Sequence, residues 1–337
     1  MLNTGRVKRA TAPLQIECTR RGGIRNCYRL GLANGLSWRL VTTDQSEGWI
    51  AEVAAAMRLE RCDPPFLPVS LAPNAGSASL LPDHGEVFPD STAGRKRMIR
   101  HRALRMKLLG NGTYLIASVK PVRRRPLNVE RVWGSFFPFY ARLLESGGLP
   151  IHAALVRKGN RCVALAAKGK TGKSTCCRRL PETWHGICDE EVVAVPVEGS
   201  GYRAHPFPTW SDLVQRGLRK SWEVERSFPL SALYFLEQGE EDRVTAVGQV
   251  EAVVQLCRRV RDKCPFHEWG LTSQQERNVR LKIFENAQNM ARSLPAYRLI
   301  ASLGGRFWEE MEGDLENDAS SDDSRNGLAR LCEVEEG

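Results

Sequence analysis

The run Ala166-Ala167-Lys168-Gly169-Lys170-Thr171-Gly172-Lys173-Ser174-Thr175 constrains this chain more than any other stretch. It stands between a short apolar segment, Arg161 to Ala166, and a helix-forming segment that breaks at Pro181. A strand that feeds a glycine-rich turn and then a helix gathers backbone N–H groups at one point. The lysine and hydroxyl that follow add a cation and a metal-ligand oxygen. The run therefore reads as a phosphate-binding loop. Gly169, Lys170, Thr171, Gly172, Lys173, Ser174 and Thr175 make the nucleotide contact, Lys173 reaches the β- and γ-phosphates and Ser174 holds Mg²⁺. The strict G-x-x-x-x-G-K-[ST] pattern has glycine where this chain has Ala167.

At 337 residues the chain has room for roughly two domains of about 150 residues. No apolar run approaches the roughly 20 residues that span a bilayer, and Met1 to Ala12 is basic with no apolar segment behind it, so a cytoplasmic location is the default expectation. The ten cysteines admit a metal or disulfide framework or ordinary reduced side chains. None forms a C-x-x-C knuckle, which favours the second reading, and Cys176-Cys177 reads as helix packing beside the loop. The net charge of +10 is unevenly spread: after Gly313, eight acidic residues against two arginines give −6, which leaves +16 on the rest. The densest basic clusters run from Arg95 to Lys107 and from Lys120 to Arg125. Nucleic acid, an acidic peptide, nucleotide phosphates and a solvated face are all open as readings. Nucleic acid ranks last because no reader motif accompanies the charge.

Tyr28 to Val41 alternates apolar and polar residues around Asn34-Gly35, a hairpin signal. Trp49 to Leu59 is spaced for one face of a helix that Ser46 caps, and Cys62 to Pro89, rich in Pro, Gly and Ser, reads as loop. A second hairpin is expected across Asn111-Gly112, pairing Leu104, Met106 and Leu108 with Tyr114, Ile116 and Ser118. Val129 to Leu144 has helical spacing and ends at Gly147-Gly148, with Pro138 predicting a kink or an early stop. Strands follow over Ile151 to Val156 and Arg161 to Ala166, then the loop and its helix. A buried strand is expected at Leu230 to Leu236, amphipathic stretches near Val250 to Val260 and Arg277 to Ser293, and a folded aromatic segment from Tyr297 to Met311. The resulting fold class is α/β: a P-loop core of mixed sheet and helices over residues 126–312, a smaller α+β amino-terminal domain over 1–125, and an acidic disordered tail over 313–337.

Sixteen residues beyond Lys173 stand Asp189 and Glu190, an acidic pair of the kind that phosphoryl transfer to a hydroxyl needs, for metal binding and for taking the proton. His152 precedes the strand pair that feeds the loop; by itself it reads equally as a core histidine. The order His152, hairpin, phosphate loop, Asp189-Glu190 resembles the catalytic domain of HPr kinase/phosphorylase and its relatives in the phosphoenolpyruvate-carboxykinase-like superfamily. The run through Cys176-Cys177-Arg178-Arg179-Leu180 to His205-Pro206-Phe207-Pro208-Thr209-Trp210 is most similar to the SynChlorMet cassette protein C group of peptide-modification cassettes.

That resemblance implies a cytoplasmic, ATP- and Mg²⁺-dependent kinase acting on a serine or other hydroxyl of a peptide or protein. Lys173, Asp189 and His152 would be catalytic, with Asp189 accepting the acceptor's proton and His152 positioning phosphates; Ser174 and Glu190 would hold the metal. A precursor peptide, radical-chemistry enzymes and further copies of the chain are the implied partners. The sequence departs from the family at Ala167 and Lys170, which replace glycines, and lacks the later Arg-Gly segment with its acidic ligand; His205 to Trp210 stands roughly there, as groove lining or loop packing. These departures keep open a nucleotide-binding accessory protein without kinase activity, or an ATPase switch.

Overall fold

A computed structural model describes residues 24–43, 47–63, 77–82, 98–101, 104–108, 114–118, 136–210, 220–268 and 271–313. The Asn34-Gly35 turn, with Gly35 at φ +84°, joins β1 (Ile24–Gly31) to β2 (Ser37–Thr43) in antiparallel register, Leu30 opposite Trp38 and Tyr28 opposite Leu40. The second expected hairpin forms as β5 (Leu104–Leu108) and β6 (Tyr114–Ser118), pairing Leu104 with Ser118 and Leu108 with Tyr114. Between the hairpins lies β3 (Ser77–Pro82), inside the segment read as loop; with β4 (Met98–His101) it completes a six-stranded sheet of order β1-β2-β3-β6-β5-β4. Its flanking Pro and Gly residues hid this strand, whose backbone pairing with β2 and β6 overrides its weak composition. The helix α1 (Glu47–Ala56) buries Ile50, Val53 and Ala54, and Met57 just beyond it. Ser46 and the acidic tail lie outside the described residues.

Cys27 and Cys62, which no sequence spacing connects, meet with their sulfurs 2.8 Å apart where the Tyr28–Arg61 bridge sets β1 beside the chain leaving α1.

The helix α2 (Phe137–Glu145) opens at Pro138 instead of kinking there. In the first turn a missing N–H removes nothing from the ladder. It closes in a Schellman arrangement: Gly147 N donates to Leu144 O, Gly148 N to Leu143 O, and Gly147 takes φ +84°. Beyond it is a nine-stranded mixed sheet. Its order is β10 (Trp184–Cys188), β8 (Ala153–Lys158), β9 (Arg161–Ala166), β13 (Phe228–Gln238), β12 (Gly201–Phe207), β11 (Glu191–Val197) and β7 (Leu149–Ile151), with β15 (Ala296–Ala301) parallel to β13 and β14 (Arg243–Ala246) on its far side.

Successive residues of one strand serve different cores. Ala153, Leu155, Cys162 and Ala164 join the cluster shared with α2, α4 (Gln249–Lys263) and α5 (Ser273–Ser293). Ala154, Val156, Val163 and Leu165 join a second cluster with Cys176, Phe307 and Met311 on the opposite face. A strand covered on both faces has no polar side, which is why β9 reads as an unbroken apolar run. The first cluster extends into the amino-terminal sheet, where Trp38 packs on Phe139 with ring centroids 4.5 Å apart. No helix among the described residues is long and apolar enough to cross a membrane.

Candidate functional site

What the sequence reads as one strand from Ile151 to Val156 is two, β7 and β8, with His152 at the break. The chain breaks again between β10 and β11, at Asp189 and Glu190. Ile151 pairs with Val192 and Leu155 with Cys188, so one antiparallel register carries both crossings and sets His152 across from residues 189–191. The phosphate loop adjoins this point, since Ala167 N donates to His152 O at 3.1 Å and His152 N to Arg259 O at 3.1 Å. Three sequence-distant segments are thereby brought to one place by backbone pairing.

Within the loop, Ala167 is buried and avoids the left-handed region, so the methyl that replaces a glycine hydrogen packs into the second core. Lys170 occupies the left-handed region at φ +68°, the conformation for which the glycine it replaces is suited. Gly172, at φ +105°, begins α3 (Lys173–Arg179), and no side chain caps that first turn. Lys173 is 5% exposed, and its Nζ donates to Ala167 O at 2.9 Å and Lys168 O at 3.0 Å. Burial, then the positive field of Lys263, pull its pKa down to about 8, against the opposing pull of Glu190.

Asp189 lies beside the helix start. Burial alone would raise its carboxyl, but hydrogen bonds from Thr209 and Ser174 outweigh that and hold its pKa below the ordinary value. Ser174 and Asp189 are thus in contact, an oxygen pair of the kind that Mg²⁺ takes together with phosphate and water. Glu190 is engaged by a cation: Lys263 Nζ donates to Glu190 Oε1 at 2.7 Å, with the lysine side chain 4% exposed. Among the described residues no group of three or more His, Cys, Asp or Glu side chains is arranged to hold a metal ion.

The His152 ring lies against Gly169, where an added Cβ would stand 3.8 Å from His152 Cε1. Its Nδ1 is 3.4 Å from Asp262 Oδ2, yet burial, then the cations Lys263, Lys173 and Arg259, push its pKa down to about 2, so the ring stays neutral. Glu191 is fully buried beneath this layer. Tyr140 Oη donates to its Oε1 at 2.8 Å, and its Oε2 has no partner among the described residues. Burial raises its pKa to about 7.

Sequence reasoning did not find Lys263, Arg259, Asp262, Thr209 or Glu191. A signal existed for Lys263: it continues the buried stripe Ala252, Val253, Leu256, Val260 of α4, where a lysine must find an anion. The run from His205 to Trp210 is chiefly packing, with His205, Phe207 and Trp210 buried; its polar member Thr209 is what reaches Asp189. His205 Nε2 accepts from Ala33 N at 3.0 Å, which leaves its Nδ1 to donate to Val224 O at 2.7 Å. The histidine thus links the two sheets.

The family model of SynChlorMet cassette protein ScmC matches residues 115–316, a stretch that holds every residue of this site. No curated protein matches the chain.

Proposed function

We propose that this chain, which belongs to the SynChlorMet cassette protein ScmC family, transfers a phosphoryl group from ATP to a hydroxyl of a peptide or protein, in the manner of an HPr serine kinase. The observation that carries the reading is the Asp189 carboxylate, kept ionised by Thr209 and Ser174 at the mouth of the phosphate loop. Membership of a cassette family supports other proteins of that cassette as partners.

In this reading the loop from Gly169 to Thr175 holds the nucleotide phosphates, and Lys173 leaves its own loop carbonyls to meet them. Ser174 and Asp189 are the oxygens that would hold Mg²⁺, whose charge offsets that of the phosphates when bound. Asp189 accepts the proton of the acceptor hydroxyl as its oxygen bonds the γ-phosphorus and the bond to the ADP oxygen breaks. Neutral His152 positions a phosphate oxygen without adding charge, and Glu190, paired with Lys263, holds that lysine over the site. Most of the rate then comes from placement and electrostatics.

The Glu190–Lys263 pair also favours a second reading. With one of the two acids engaged by a cation, a nucleotide-binding accessory protein without transfer fits the same residues. Incubation with labelled ATP, Mg²⁺ and cassette peptides separates the two. Phosphate transfer that Asp189→Asn abolishes is the expected result; nucleotide binding with no phosphorylated product in the wild type refutes the kinase.

A further inference from the structure

A cavity of about 260 Å³ lies between the amino-terminal module and the large sheet, away from the phosphate loop's own residues. Arg58 enters it from the end of α1, Arg157 from β8, His185 from β10, and Trp222, Glu223 and Arg226 from the segment before β13. Three arginines and one carboxylate line it, and two of the arginines share that carboxylate: Arg58 donates to Glu223 Oε1 at 2.7 Å and Arg226 to Glu223 Oε2 at 3.1 Å, while Arg58 Nε donates to Ser221 Oγ at 2.9 Å. Each guanidinium has five N–H donors, so most of this donor capacity is left over. Trp222, 3% exposed, forms the buried wall of the cavity.

Size and position narrow the ligand. At about 260 Å³ the cavity has room for a single acidic side chain. Two elements lead from it to the acceptor base. Ile187 lines the cavity two residues before Asp189, roughly 7 Å along an extended chain. Pro206 lines it three residues before Thr209, the partner of Asp189. A planar carboxylate matches the forked arginines, while Glu223 repels a phosphate dianion more than a monoanion.

We propose that this cavity is an acceptor-recognition subsite, in which Arg58, Arg157 and Arg226 bind the carboxylate of an acidic side chain close to the residue presented to Asp189, with Trp222 as the wall beside it. Only the identity of the molecule that brings the carboxylate rests on the phosphoryl-transfer reading; the anion site stands on its own residues.

The test is ¹⁵N NMR of the full chain, with the Trp222 indole resonance assigned by its loss in Trp222→Phe. The probes are N-acetylglutamate methylamide, its glutamine counterpart and inorganic phosphate, each titrated separately. The glutamate compound is expected to shift the Trp222 resonance at concentrations at least tenfold below the glutamine compound, and Arg157→Gln or the exposed Arg226→Gln to weaken that response at least tenfold. Equal responses to glutamate and glutamine, a response to phosphate alone, or a glutamate response unchanged in both arginine variants overturns the proposal. Binding of a fluorescent ATP analogue is read in parallel. Glutamate selectivity without nucleotide binding refutes the phosphoryl-transfer reading and upholds the subsite; nucleotide binding without glutamate selectivity refutes the subsite and leaves the phosphoryl-transfer reading to the labelled-ATP assay.

Discussion

Replacing Glu191 with glutamine isolates the electrostatic cost of the layer beneath the phosphate loop. The side chain is fully buried, Tyr140 donates to one oxygen at 2.8 Å, and burial raises the carboxyl from its ordinary 4.5 to about 7. Because the folded value lies above the unfolded one, the fold holds this proton more tightly than the unfolded chain does. The associated stability is fully present below the unfolded value and is lost as pH rises through about 7. Weighing the two titrations against each other, ionisation costs the fold about 1 kcal/mol at about pH 5 and about 3 kcal/mol at about pH 8. Glutamine keeps an acceptor for Tyr140 and has no such dependence. Urea unfolding followed by tryptophan fluorescence, for wild type and Glu191→Gln across that pH range, should show their stability difference moving toward the variant by about 2–3 kcal/mol. The packing cost of the amide is the same at every pH and drops out of this slope. A difference that stays flat with pH refutes the reasoning, for Glu191 would then be as ionised in the fold as in the unfolded chain.

Lys170→Gly relieves a left-handed residue, which costs about 1–2 kcal/mol, and loosens the unfolded chain by about 0.4–1 kcal/mol. The net gain of about 0.5–1 kcal/mol should raise the melting temperature by about 2 °C, and a fall in that temperature contradicts it. Thr209→Val removes a hydrogen bond to the ionised Asp189 and so should raise that carboxyl. The acid limb of phosphate transfer is expected to move to higher pH, and a limb that stays in place excludes Asp189 as the titrating base.

What the sequence made legible was local. The strand, loop and helix around Lys173 are contiguous, and Asn34-Gly35 and Asn111-Gly112 mark hairpins whose register follows from alternation. Pairing across long separations was not legible. Ser77 to Pro82 becomes a strand only because β2 and β6 flank it. The break at His152 has no local signal, since it exists to let β7 and β8 follow different neighbours in step with β10 and β11. The arginines of the cavity come from three segments that nothing in composition connects. Yet three of the residues missed around the loop share one trait, a polar group where the local pattern calls for an apolar one. Lys263 continues a buried helical stripe, Glu191 opens an apolar strand, and Thr209 interrupts an aromatic-proline run. Burying a charge or a hydroxyl unpaired is costly, so each such residue predicts a partner of complementary chemistry. Lys263 meets Glu190 and Thr209 meets Asp189, so both acids of the pair are engaged by residues whose misfit was already visible in the chain. The Glu191 carboxyl hydrogen-bonds only a phenol among the described residues and feels Lys263, which is paired with Glu190, only through its field; it is the group whose proton the fold retains to near neutrality.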